Sequence, residues 1–568
     1  MKVRTMQRMT RRHLLQVAIV GSGLAAGSSL LAACGPSAPQ ATQATPGVSA
    51  PSSGATPAAA AAGTPVKGGT LTVGIYQEPP TLDPHVSGSA TAGRVMAHIF
   101  DSLVRQPDPG NFQPGLATAW DSSDGGTTWT VKLRSGVTFH DGTPFNAAAV
   151  KFSFDRIVDP KTKSLSAIGL LGPYNSTEVV DDSTVKVTFK TPFVAFPDSL
   201  SSVDLSPVSP AAVAKFGDNF GQNPVGTGPF QFKEWTAGSE VTVQRYDAYN
   251  WDPSILGRNG PAYLDAVQFK FLLEDATRTG ALQKGEVLMI DQTPDHDVAQ
   301  LKQDPNFRID TIDQPGSPQV LPLNCSRAPT DDISVRKALL YSLDRQAMIN
   351  AVFGGQRPVA YGPLAPNTWS YLKDVEQMYA YSPQQAQQLL DQAGWTMNSS
   401  TGVREKNGQP LSVHYITTDD SGNKLPAEFA QQAWKQVGFD VNLEAMAYAA
   451  TAPMMLRGEH NIARIGYSAT DPEFLYTLYH SDNIAGTNFN RTMTKFPELD
   501  SNIEKMNSES DPNQRLALSQ TIQRFIMDNA LIVPLYVVVF IYSVSTKVQD
   551  VKYDLGASPY YYNIWLKP

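Results

Sequence analysis

Two cysteines in 568 residues, Cys34 and Cys325, allow at most one disulfide, and the surroundings of Cys34 remove even that. Cys34 closes a Leu31-Ala32-Ala33-Cys34 run that follows a positive segment (Lys2, Arg4, Arg8, Arg11, Arg12) and an apolar or small stretch from Leu14 to Leu31. A basic start, an apolar core and a small-residue junction form the layout of an export signal rather than of a fold element. Cys325 is thereby left without a partner. The folded body must stand on burial alone, without a disulfide or a thiolate metal site. From Lys67 onward the chain is long enough for two or three domains with substantial cores.

Thr10-Arg11-Arg12-His13-Leu14-Leu15 resembles the twin-arginine export consensus, with the general secretory route as the alternative. Leu31-Ala32-Ala33-Cys34-Gly35 resembles a bacterial lipobox. That resemblance implies that Cys34 is lipidated, becomes the mature N-terminus and anchors the protein to the outer face of the cytoplasmic membrane, in a periplasm or at a cell surface. From Gly35 to Pro65 the chain is almost wholly Ala, Pro, Ser, Thr, Gly and Gln. With so few apolar side chains to offset ordering entropy, this tract reads as a disordered tether. The formal net charge is −8 and the basic clusters are confined to the signal, so no nucleic-acid partner is expected. Leu531 to Val544, the most apolar later stretch, is too short to span a bilayer and contains Pro534.

Within the body, Leu71–Ile75, Thr127–Leu133, Ser183–Phe189, Val241–Arg245 and Leu264–Phe269 read as strands, the second and third with clear period-two alternation. A helical pattern over Thr91–Leu103 places Val95, Met96, Ile99, Phe100 and Leu103 on one face, and Asn146 is placed to cap a helix carrying Val150, Phe152, Phe154 and Ile157. Longer helices are expected over Val335–Asn350, Pro383–Gly394 and Pro512–Asp528.

A series of strings then carries a resemblance along the chain. They are Lys67-Gly68-Gly69-Thr70-Leu71 with Thr81-Leu82-Asp83-Pro84, Pro114-Gly115-Leu116-Ala117-Thr118-Ala119-Trp120, and Leu133-Arg134-Ser135-Gly136-Val137-Thr138-Phe139-His140-Asp141-Gly142-Thr143-Pro144. Asn223-Pro224-Val225-Gly226-Thr227-Gly228-Pro229-Phe230, Val335-Arg336-Lys337-Ala338-Leu339, Ala386 to Trp395 and Val533-Pro534-Leu535-Tyr536 follow in order. Together they resemble the extracytoplasmic solute-binding proteins of ABC importers in the peptide and nickel class. The resemblance implies an α/β, two-lobed periplasmic-binding-protein (Venus-flytrap) fold of the large type, with mixed sheets flanked by helices and a third, inserted domain. The implied division is an export signal over 1–33, a tether over 34–66, a first lobe from 67–100, 223–318 and 542–568, an inserted domain over 101–222 and a second lobe over 319–541. The hinge is expected near Gln319 and Ile541. The partners implied are a small-molecule or peptide solute, an ABC permease and the membrane through the lipid anchor, with the protein a monomer and no cofactor.

Gly466-Tyr467-Ser468-Ala469-Thr470-Asp471-Pro472 carries the most functional information. In peptide-binding relatives an aspartate here holds the α-ammonium, whereas in this chain Ser468 or Thr470 occupies that position and Asp471 alone remains acidic. A hydroxyl accepts a hydrogen bond from an ammonium but does not neutralise it, so this loop is not expected to hold a free peptide N-terminus. The resemblance also implies ligand contacts from Ser87, Gly88, Ser89, Gln319, Leu321, Tyr448, Arg464 and Tyr467. Peptide, oligosaccharide, nickel chelate and other polar organic solutes stay open as ligands.

Catalytic readings are weaker. His140-Asp141 sits in an Asp-Gly-Thr-Pro turn, and the remaining histidines lack ligand spacing, so no metal site is expected. Ser183-Thr184-Val185-Lys186 has the Ser-x-x-Lys spacing but alternates as a strand, where Lys cannot lie over Ser. Gly226-Thr227-Gly228-Pro229 lacks the lysine and third glycine of a phosphate loop and reads as a tight turn between domains. No enzyme is expected; a secreted lipoprotein hydrolase would need a nucleophile, a base and an oxyanion site converging on one cleft.

Overall fold

The computed structural model describes residues 64–251, 257–484 and 489–568. The export signal, Cys34 and nearly all of the tether lie outside them. A seven-stranded sheet gathers segments distant in sequence, in the spatial order Phe307–Asp313, Val539–Ser545, Met289–Ile290, Thr70–Ile75, Ala266–Phe271, Glu240–Arg245 and Phe230–Thr236. Thr70–Ile75 runs parallel to Ala266–Phe271, with Leu71 opposite Val267 and Val73 opposite Phe269. These four side chains are buried in one core with Val95, Met96, Ile99 and Phe100. A second sheet orders Ile465–Ser468, Gly316–Pro322 and Ile532–Tyr536 antiparallel. It shares a separate core with the helices Ile333–Tyr341, Pro383–Gln392, Ser421–Gln436 and Pro512–Asp528. The result is the α/β, two-lobed arrangement that the sequence implies.

The chain passes from the first sheet to the second twice, between Asp313 and Gly316 and between Tyr536 and Val539. The two passages touch, since the Gln314 N–H donates to the Val538 carbonyl at 2.8 Å. Gln319 and Ile541 sit within the adjoining strands rather than at the passages themselves. Gly316 explains why the first passage lies where it does. Its φ is +100°, and a Cβ there would come within 2.3 Å of the Tyr467 carbonyl oxygen. Only glycine lets this strand leave Pro315 and run directly against the Gly466–Asp471 loop.

A third sheet, Ala117–Ser123, Thr128–Leu133, Thr184–Phe189 and Tyr174–Asp181, is wholly antiparallel. Asn146 caps the helix Ala147–Val158 that packs on it, accepting from the Ala149 N–H at 3.1 Å. Ser183 lies at the start of a strand and hydrogen-bonds to Asp181, away from any serine-nucleophile geometry. His140 donates its Nε2–H to the Gly228 carbonyl, 2.9 Å away, packs edge-on to Tyr246 and is driven down to about 4 by burial. Both groups are structural.

Two expectations are corrected. The Thr91–Leu103 helix stops at Met96, because the His98 and Ile99 carbonyls bond instead to the N–H groups of Phe230 and Gly228. The Val335–Asn350 helix is two, Ile333–Tyr341 and Arg345–Phe353. Ser342 folds its hydroxyl back onto the Ala338 carbonyl and Asp344 caps the second helix. The helix Pro383–Gln392, capped at Ala393, stops at Gly394 as the sequence implies, the glycine's φ of +85° ending the turn.

Candidate solute-binding cleft

One cavity of about 420 Å³ is bounded by every part of the fold. Its walls are the Gly88–His98 stretch, the Asp198–Asp204 segment after the third sheet, Ser468–Thr470 of the second lobe beside Pro315, and Asp554–Tyr560 near the C-terminus. A volume in the lower part of the ~300–1,000 Å³ range of ligand pockets suits a compact molecule.

The first wall is fixed by local chemistry. Asp83 is held by Arg156, whose guanidinium reaches both carboxylate oxygens, so the breaker-rich loop is tied to the helix Ala147–Val158. His85 is buried between them, hydrogen-bonded to the Ser206 carbonyl and lowered to about 4 by burial and Arg156. Ser87 is buried and its hydroxyl takes the Ser89 N–H at 3.2 Å, while Ser89 caps the helix Ala90–Met96. Gly88 and Ser89 then line the cavity.

The opposite wall carries the Gly466–Asp471 loop. Ser468 and Thr470 line the cavity, and the Thr470 hydroxyl donates to Asp198 at 2.5 Å across the space between the second lobe and the Asp198–Asp204 segment. Asp471 does not face the solute space as a free acid. Arg515 holds it bidentately, at 2.6 Å on each oxygen, and it also caps the Glu473 N–H. Tyr467 is partly buried and stacks on Phe474 at 5.9 Å.

The other expected contacts lie elsewhere. Gln319 is buried on the second-lobe strand with its amide oxygen near Gly466, and Leu321, two residues on, is fully buried in the second core; neither lines this cavity. Tyr448 is half-exposed at the start of a helix. Arg464, partly buried, offers its carbonyl to Arg491 at 2.6 Å, and these three residues form a separate cluster on the second lobe. Cys325 is a free thiol pushed up to about 11 by burial.

The sequence did not point to Asp198, Asp204 or Asp554. Asp198 is pushed up to about 7 by burial and by the neighbouring Asp471 charge, against the hydrogen bonds from Thr470 and Gln106 and the more distant Arg515. Asp204, with Ser166 as its hydroxyl partner at 2.7 Å, and Asp554, turned onto the Ser558 N–H, are each raised to about 6 by burial. None lies in a motif. Only the fold brings them to one space.

The family described as bacterial extracellular solute-binding proteins, family 5 Middle, matches residues 111–486. The glutathione-binding protein GsiB of Shigella dysenteriae serotype 1 is 30% identical over 466 residues, 80% of this chain and 86% of its own. Among solved structures, the periplasmic binding protein DppA of Helicobacter pylori, in complex with the peptide STSA, superposes with a TM-score of 0.71 at 26% identity, covering 89% of this chain and 99% of its own. The oligopeptide-binding protein AppA of Bacillus subtilis, in complex with a nonapeptide, gives 0.71 at 25%, covering 89% and 100%. With two sheet-centred lobes, touching passages and a cavity between them, the chain belongs to the family 5 bacterial extracellular solute-binding proteins, which bind substrates and are not enzymes.

Proposed function

We propose that this chain is the capture component of an ABC importer, tethered through a lipidated Cys34, and that it closes its lobes over a small peptide or similar polar organic solute for delivery to a permease. The single observation that supports this most is the 420 Å³ cavity lined by all segments of the fold. Residues 67–100, 223–318 and 542–568 serve as the first lobe, 101–222 as the inserted domain and 319–541 as the second lobe. The touching passages at Gln314 and Val538 act as the hinge. Ser87, Gly88, Ser89, Ser468 and Thr470 are assigned to the solute. Asp471 acts through Arg515 as the anchor of its loop.

Closure follows from differential affinity, since a solute that touches both walls only in the closed form shifts the population toward it. The space suits a solute nearer the size of glutathione, which the GsiB relatives bind, than of the nonapeptide bound by AppA. Native mass spectrometry of protein purified without denaturation tests this. A stoichiometric small polar solute is expected; a preparation that neither carries nor binds any solute contradicts the reading.

A further inference from the structure

The cavity has a charge imbalance. Three part-buried carboxylates, Asp198, Asp204 and Asp554, line it, and among the described residues none of them is ion-paired with a cation. The two arginines on its wall are ion-paired to other acids, Arg94 with Asp291 at 3.1 Å and Arg105 with Asp101 at 2.5 Å, and reach Asp554 only as more distant charges. Arg515, the nearest cation to Asp198, is committed bidentately to Asp471. Carboxylates withdrawn from water with only hydroxyl, amide and backbone partners keep much of their desolvation cost until a cation joins them.

Two buried side chains on the same wall point independently to a ligand. His98 is 3% exposed, lines the cavity and leaves Nε2 without a partner. Its bond to the Arg94 backbone uses the other nitrogen as donor, and burial holds the ring neutral, so Nε2 is an acceptor awaiting an N–H or O–H. Arg94 is 5% exposed and leaves Nε and Nη2 without acceptors. Buried polar atoms are rarely left unpaired in native proteins.

We propose that this cavity takes a small solute bearing at least one protonated amine, held against Asp198 and Asp204, with an oxygen acceptor of the same solute turned to Arg94. The charge that the second-lobe loop lacks is supplied from the facing wall. The Thr470 hydroxyl, in the loop whose only acid is taken by Arg515, donates to Asp198 at 2.5 Å, so the carboxylate lies one hydrogen bond from that loop. Asp204 broadens the acidic face, and His98 Nε2 accepts a further N–H. This assignment rests on the solute-capture reading and names the chemistry of its solute.

The test is a calorimetric screen of compact polar solutes in four classes: amines with a carboxylate, amines without one, carboxylates without an amine, and neutral polyols. It is run on the wild-type protein and on Asp198→Asn and Asp204→Asn. Binding is expected only in the two amine classes, tighter with the carboxylate. It should weaken at least tenfold in Asp198→Asn and measurably in Asp204→Asn, while both variants keep the ligand-free melting temperature within a few degrees. Preferred binding of carboxylates or polyols, or amine affinities unchanged within threefold in both variants, overturns the amine assignment and leaves solute capture standing. Failure of every class to bind overturns solute capture itself.

Discussion

Replacing Asp471 with alanine should destabilise the protein without removing a direct solute contact. Both Asp471 oxygens are taken by Arg515 at 2.6 Å, and the two side chains are 11% and 10% exposed. Truncating one partner of such a buried pair strands the other charge, at a cost of about 3–5 kcal/mol. Arg515 keeps its Nε bond to the Met506 carbonyl at 3.2 Å and its position over Trp369 at 5.2 Å. The lower end, about 3 kcal/mol, is therefore expected. Asp471→Ala with Arg515→Met removes both charges and should recover much of that loss, because a well-packed apolar pair can replace a buried ion pair at little cost. Urea unfolding followed by tryptophan fluorescence measures both. A single variant that loses less than about 1 kcal/mol, as an exposed pair would, refutes the anchoring role. So does a double variant no more stable than the single one.

Three further outcomes follow from the same geometry. Thr470→Val removes the hydroxyl that joins the second lobe to Asp198, so the ligand-free protein should populate a more open form with a larger radius of gyration in solution scattering; an unchanged profile argues against this contact as a closing element. Amine solutes should bind more weakly as the pH falls below about 7. Asp198 is raised to about 7 in the free protein by burial and Asp471, against Arg515, Thr470 and Gln106, and Glu473 nearby is raised similarly. A bound cation lowers the Asp198 pKa, so binding releases a proton below that pH, and each pH unit costs up to about 1.4 kcal/mol; calorimetry showing constant affinity from pH 8 to 5 contradicts it. Cys34→Ala should release the exported protein from membranes, checked by fractionation, and continued membrane association counts against the lipid anchor.

Much of the architecture was legible because it is written locally. The alternation of Thr128–Leu133 and Thr184–Phe189, the Asn146 cap and the Pro512–Asp528 helix appear where the sequence places them. The early end of the helix at Met96 was not legible, since its cause is a carbonyl exchange with Gly228 and Phe230, remote in sequence. The site divides in the same way. Ser89, Ser468 and Thr470 belong to readable loops and do line the cavity. Asp198 and Asp204 lie in an unremarkable Pro-Asp-Ser and Val-Asp-Leu context, and only the packing of the third sheet against the first core brings them opposite Thr470. Leu321 shows the converse: its segment was singled out for the cleft, but which side chains meet the core is decided by helices that the local pattern does not contain.

Solute-driven closure is tested most directly by small-angle scattering on stripped protein before and after adding back the solute identified by mass spectrometry. The radius of gyration should fall on binding, and at about a hundredfold excess over Kd the native state should gain about 2.7 kcal/mol, seen as a higher melting temperature. A solute that binds stoichiometrically and raises the melting temperature yet leaves the scattering profile unchanged would contradict capture by closing lobes.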